Sequence, residues 1–177
     1  MDYLEIKEFI KDFMKYVILV IFILFLIMYV VTLTQVIGPS MEPNFNQGDI
    51  LMLDKVTYRF SNVKRGDVIS FSYSGTKYLI KRVIGLPGES VEIKDNKVYI
   101  NGMILEEYYL TNSECPDFSI TSLGEEKVPI DSYFVMGDNR SDSLDSRDIN
   151  VGFVKKEDIE GKIRMRIWPL NRLKLIK

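Results

Sequence analysis

The chain has 177 residues, 46% of them hydrophobic, and a formal net charge of −2, which allows one ordinary domain plus an anchor. That charge gives no reason to expect nucleic acid. Histidine is absent, so no Ser-His-Asp triad, Cys-His dyad or histidine metal site exists within this chain. The single cysteine, Cys115, excludes an internal disulfide and a CxxC motif, and reads as an ordinary loop residue beside Pro116.

In chain order, residues 1–15 come first. Ile6, Phe9, Ile10, Phe13, Met14 and Val17 recur at helical spacing, which predicts an amphipathic helix on the cytoplasmic membrane surface. Tyr16–Ile37 carries no charge and predicts one transmembrane helix of roughly 33 Å, against a hydrocarbon core of ~30 Å. A cleavable signal peptide is the plainer alternative, with Gly38-Pro39-Ser40 as a small-x-small site. The length of the run and the proline argue against it. Lys7, Lys11 and Lys15 precede the run, and no Lys or Arg follows until Lys55. The positive-inside rule then places the N-terminus in the cytoplasm and residues 38–177 outside, in a single-pass cell-membrane protein.

Beyond Gly38 the pattern alternates. Ile69, Phe71 and Tyr73 share one face, as do Val91 and Ile93, then Val98 and Ile100. Asp95-Asn96 punctuates the second pair from the third. Asn101-Gly102, a strong hairpin signal, precedes Met103 and Leu105. Ile163, Met165 and Ile167 oppose Arg164, Arg166 and Trp168. These short strands predict an all-β, antiparallel domain over 38–177, with a small β-rich insertion at about 89–131. The stretch from Glu106 to Pro129 is loop-rich, and no internal repeat or low-complexity tract is present.

Three constellations carry chemistry. In Gly38-Pro39-Ser40-Met41-Glu42-Pro43, glycine and two prolines fix the backbone around a serine, as an activated nucleophile requires; the plainer reading is a helix-ending turn. In Tyr78–Gly88, Lys81 lies between Leu79 and Val83 on one strand face and Arg82 lies on the other. A lysine so flanked is desolvated, its pKa falls, and the neutral amine takes a serine proton; the plainer reading is a snorkelling lysine. In Gly137–Asp148, four aspartates alternate with Arg140, Arg147 and serines. The spacing lacks an EF-hand core and the arginines would repel a cation, so no metal is implied. Compensated acid–arginine pairs in a rigid loop stand against a merely solvated one.

Together and in this order, these stretches and the Gly66-Asp67-Val68 strand resemble the type I signal peptidases. The lysine strand and the loop G-D-N-R-x-x-S-x-D-S-R carry most of that likeness. The resemblance implies the family's antiparallel β catalytic fold and a membrane-bound serine endopeptidase without cofactor. It would cleave signal peptides from exported preproteins after small residues at −3 and −1. By the same resemblance Ser40 is the nucleophile, Lys81 the general base, and Ser143 the hydroxyl that orients the lysine amine. Asp145 and Arg147 hold the active-site loop, Asp138 and Arg82 form a further pair, and Ile37, Met41 and Ile80 line the substrate pockets. Implied partners are preproteins and the lipid bilayer, with room for contact with the secretion translocon. Gly38 departs from members with a serine there, which leaves the second oxyanion donor open; glycine, a single anchor and a short Lys81–Gly137 segment look like the compact Gram-positive form. The competing readings are a noncatalytic, membrane-anchored binding or chaperone module, and a self-cleaving DNA-damage repressor with the same dyad.

Overall fold

The computed structural model describes residues 3–75, 77–110 and 114–176. Residues 1–2 of the amphipathic segment and 111–113 of the loop-rich stretch lie outside the described residues. Helix α1 spans Tyr3–Val30 without a break, so the amphipathic and apolar segments form one rod. It ends seven residues before Ile37, because Val31–Gln35 is strand β1. Val30, Val31, Thr32 and Thr34 are β-branched, which favours extended backbone once a partner strand is present. That partner is β2 (Ile50–Asp54), paired from Val31↔Asp54 to Gln35↔Ile50. The transmembrane helix expected over 16–37 is therefore helical only to Val30. Among the described residues no helix is long and apolar enough to cross a membrane.

The remaining elements are α2 (Thr57–Phe60), β3 (Val68–Tyr73), β4 (Lys77–Gly85), β5 (Val91–Lys94), β6 (Lys97–Ile100), β7 (Met103–Ile104), β8 (Phe118–Ser119), β9 (Ser132–Met136), β10 (Val154–Lys155), β11 (Ile159–Trp168) and β12 (Lys174–Leu175). Among the described residues the larger sheet runs β1-β2-β11-β3-β4-β9-β10, with β12 added beside β11. The smaller sheet, inserted between β4 and β9, runs β7-β6-β5-β8. Every pairing is antiparallel, as the alternating pattern predicts. Both tight turns of the insertion follow from left-handed backbone at the expected residues: Asp95 and Asn96 at φ 50 and 61, then Asn101 and Gly102 at φ 50 and 79.

Three apolar clusters fix the architecture. Ile84, Phe134 and Met136 of the large sheet pack on Val91, Ile93, Val98 and Ile100 of the small one, and Cys115 is buried in that seam rather than lying in an open loop. Ile69, Phe71, Val83, Val135 and Val154 form a second cluster. The third, Val36, Met41, Phe45, Leu51, Leu53, Val68 and Ile163, lies under the turn that follows β1. Met41 and Phe45 are each 1% exposed. At about 1.5–3 kcal/mol per buried side chain of this kind, they pin the segment between them to the sheet.

Candidate active site

Ser40 sits in the same turn, directly before Met41, between the buried side chains of Val36 and Met41. Gly38 adopts φ 83, which a side chain would resist, and the Glu42 N–H closes the turn on the Pro39 carbonyl at 2.9 Å. The Asn139 N–H donates to the Ser40 carbonyl at 3.0 Å, and the Asn139 amide reaches the Pro39 carbonyl at 3.3 Å. These bonds tie the serine turn to the loop after β9. Among the described residues the Ser40 N–H donates to no protein acceptor.

Lys81 lies on β4 opposite Ile69 of β3 and is 2% exposed. Its Nζ is 2.6 Å from Ser40 Oγ. Burial lowers its pKa to about 8, against the opposing pull of the Asp145 and Asp138 charges and with a smaller contribution from Arg147. The desolvation expected from apolar strand neighbours thus dominates. An amine near pH 8 is neutral often enough to accept a proton from the hydroxyl it touches.

The loop Gly137–Asp148 is held by paired charges. Arg82 Nε and Nη2 donate to the two Asp138 oxygens at 2.8 and 2.6 Å. Arg147 Nε and Nη2 grip Asp145 at 2.8 Å each, and the Gly137 N–H adds a third donor at 2.9 Å. Burial pushes the Asp145 carboxyl up, but the Arg147 guanidinium and the Gly137 N–H together hold it below its usual range. Ser143 is drawn into the same place: its buried Oγ lies close enough to Asp145 to help lower that carboxyl, but not in good hydrogen-bond geometry, and it makes no bond to Lys81 among the described residues. Gly137 explains the crowding. A β-carbon there would sit 2.6 Å from Ser143 Cβ and would also collide with Ser143 Oγ and the Ser40 carbonyl oxygen.

Beside the serine and lysine, a small cleft of about 70 Å³ is lined by Thr34, Gln35, Val36, Ile37, Met41, Tyr78, Leu79 and Ile80. Ile37 is 87% exposed at its mouth, and Met41 forms part of its buried wall. Two strand edges border it. β1 ends the sheet and pairs only with β2. β4 pairs with β3 from Lys77 to Arg82, but among the described residues β9 meets it only at Arg82, Val83 and Gly85, which leaves Tyr78–Lys81 open on that side. Among the described residues no cluster of acidic or cysteine side chains could hold a metal ion.

Several residues of the site escaped the sequence reading. The Asn44 amide donates to Asp138 Oδ2 at 2.9 Å and to the Tyr109 carbonyl at 2.7 Å. Arg166, 5% exposed, donates to the Asn44 carbonyl at 2.7 Å and to Asp49 at 3.0 Å. Arg140 is buried against Glu107 of the insertion. A polar residue four places after a proline-bracketed serine was the only available signal for Asn44. The others are joined across 33 to 122 positions of chain, and no local pattern marks such pairs.

Comparison with known proteins shows the family to which the chain belongs. The model of the family described as signal peptidase, peptidase S26, matches residues 6–168. A signal peptidase I of Leptolyngbya laminosa is 42% identical over 143 residues, covering 76% of this chain and 67% of its own. Signal peptidase I V of Bacillus subtilis is 40% identical over 135 residues, covering 71% and 79%. The crystal structure of a signal peptidase I from Enterococcus faecalis superposes with a TM-score of 0.52 at 39% identity, over 58% of this chain and 97% of that one. The class is that of a serine endopeptidase on an antiparallel β scaffold. Within it, the chain belongs to the signal peptidase family, peptidase S26.

Proposed function

We propose that this chain is a type I signal peptidase that removes signal peptides from exported preproteins, with Ser40 as nucleophile and Lys81 as general base. The observation that carries the reading is a buried amine, with its pKa lowered to about 8, lying 2.6 Å from a serine hydroxyl held in a rigid turn. Neutral Lys81 takes the Ser40 proton as Oγ attacks the scissile carbonyl. The protonated amine then delivers that proton to the leaving amine, and water hydrolyses the acyl-enzyme with Lys81 again as base. The Ser40 N–H, with no acceptor among the described residues, faces the developing oxyanion. Asp138, Arg82, Asp145 and Arg147 hold the loop. Ser143 carries a buried hydroxyl beside Asp145 and takes the lysine amine when that amine turns from Ser40.

The substrate is an extended segment with small side chains. Two open strand edges flank the cleft, so a peptide laid between them satisfies its own backbone groups, and about 70 Å³ leaves no room for a large residue beside Ser40. Ile37, Met41 and Ile80 line that space. Membrane attachment is part of the proposal, through α1, with the N-terminus cytoplasmic and the catalytic domain outside. Its support is the apolar run of Tyr16–Val30, whose described side chains are largely exposed, and the lysines that precede it. Those residues give roughly 22 Å of helix, shorter than a ~30 Å core. The exposed Phe9, Ile10, Phe13 and Met14 extend the apolar surface, and Lys11 and Lys15 reach back to the interface by snorkelling. The test is cleavage of a labelled preprotein by the purified full chain beside its Ser40→Ala variant. Cleavage that survives Ser40→Ala would refute the assignment.

A further inference from the structure

The insertion sends one short segment back toward the site. After β7 the chain leaves the small sheet, and Glu107-Tyr108-Tyr109 runs behind the catalytic loop before β8 begins. Each of the three active-site stretches touches it. The Asn44 amide, four residues beyond the nucleophile, donates to the Tyr109 carbonyl at 2.7 Å. The Arg82 guanidinium, next in the chain to Lys81, lies 3.9 Å over the centre of the Tyr109 ring. Arg140 of the catalytic loop donates from Nη1 to Glu107 Oε2 at 2.9 Å and from Nη2 to Oε1.

The contacts close on themselves. Tyr109 Oη donates to Glu107 Oε1 at 2.6 Å, so the ring and the carboxylate are locked together. Arg140 Nε donates to the Gly137 carbonyl at 3.0 Å, the residue packed against Ser40 and Ser143. The Arg140 carbonyl accepts from Arg147 Nη1 at 2.7 Å, which couples it to the Asp145 clamp. Asp138 receives both Arg82 and Asn44. The Arg140–Glu107 pair is nearly water-free, with side chains 2% and 9% exposed, so a surface ion pair of negligible worth is not the description.

We infer that Glu107 and Tyr109 are positioning residues: they form a strut that sets the nucleophile turn, the lysine strand and the catalytic loop against one another. This rests on the proposed Ser40–Lys81 chemistry. Neither residue lines the cleft beside Ser40, so both act through Asn44, Arg82 and Arg140 and not on substrate. The distance from Nζ to Oγ is the quantity the strut protects. Displacements of about 1 Å in such a pair cost on the order of 100-fold in rate.

The experiment compares the full chain with Tyr109→Leu, Tyr109→Phe and Glu107→Gln in steady-state cleavage of a labelled preprotein across pH, with thermal unfolding in parallel. Tyr109→Leu removes the ring under Arg82, and Glu107→Gln removes the charge opposite Arg140. Each should lower kcat by about 10- to 100-fold with KM unchanged within about twofold. Tyr109→Phe keeps the ring under Arg82 but frees it from Glu107, so its kcat should fall between those of wild type and Tyr109→Leu at equal melting temperature, a grading that a bulk-stability role would not predict. The charged groups bearing on the Lys81 amine are Asp145, Asp138 and Arg147. Loosening Arg82 leaves Asp138 less neutralised, so the acid limb of kcat/KM should move to higher pH in Tyr109→Leu. The same shift should appear when Lys81 is titrated by NMR in isotope-labelled resting protein, a readout that needs no turnover. A parent chain that fails to cleave preprotein defeats the proposed function and leaves the titration as the test of the strut. A cleaving parent whose variants keep its kcat and its Lys81 titration defeats the strut alone, as does a loss seen mainly in KM.

Discussion

At Lys81 two opposing effects are settled by magnitude. Asp145 and Asp138 favour the ammonium, yet burial of the amine outweighs them and brings its pKa to about 8. Only the neutral amine accepts a proton, so kcat/KM should rise with pH through an apparent value near 8 and then level off. Lys81→Arg should be inactive across the range, because a guanidinium stays charged. A rate still climbing steeply at pH ~10, the ordinary lysine range, would contradict the desolvation argument. Gly137 is the second residue with a sharp consequence. Gly137→Ala places a methyl within 2.6 Å of Ser143 Cβ and against the Ser40 carbonyl, so something must shift at the reacting centre. Its expected signature is a fall in kcat of about 100-fold with KM little changed. Kinetics indistinguishable from wild type would show that the contact is not tight in solution.

Among the elements, the loop after β9 shows most clearly how sequence becomes geometry. Asp145 is wholly buried and Arg147 partly so, and such a pair is worth most when one member is removed. Arg147→Ala should destabilise the fold by about 3–5 kcal/mol at neutral pH, measured by denaturant unfolding. The sign with pH follows from the lowered Asp145 pKa: its contribution is present above the unfolded value of ~3.9 and is lost as pH falls through the lower folded one. The gap between wild type and Arg147→Ala should therefore narrow on going from pH ~7 to ~3, because the stranded carboxylate can then protonate. A gap under about 1 kcal/mol, or one independent of pH, would place Asp145 in contact with water. The local residues suggested only that acids and arginines pair within this loop, and the roles of Asp145 and Arg147 came from family likeness. The Arg82–Asp138 pair was readable only through family likeness, because nothing local joins positions 56 apart.

For the whole molecule, the apolar helix and the catalytic sheet are joined at one point. The Val30 carbonyl accepts from the Lys55 N–H at 3.0 Å, and β1 begins at the next residue. The end of α1 and the edge of the substrate cleft are thus covalently continuous, which keeps the reacting centre close to wherever α1 resides and limits orientational search. On the proposed topology, which puts Lys7, Lys11 and Lys15 on the inner side, protease added to intact cells or spheroplasts should digest the 38–177 domain. Digestion only after the membrane is lysed would reverse the orientation.

The amino-acid order alone determined the strand content, both insertion hairpins, the absence of histidine chemistry, and the candidates Ser40 and Lys81. Each is a local property: alternation of period two, a turn dipeptide, a residue type missing or held between prolines. It also misjudged one boundary, carrying the helix to Ile37 where β1 begins at Val31, because a run of apolar β-branched residues fits either state until a partner strand is in place. What only the tertiary structure decided is distance and burial. The 2.6 Å between Nζ and Oγ, the closeness that forbids a side chain at Gly137, the two open edges around the cleft and the Glu107–Tyr109 segment behind the loop all join parts of the chain far apart in sequence. Such contacts are set by which sheet face each strand buries and how closely the clusters pack, and no periodicity along a single strand encodes them.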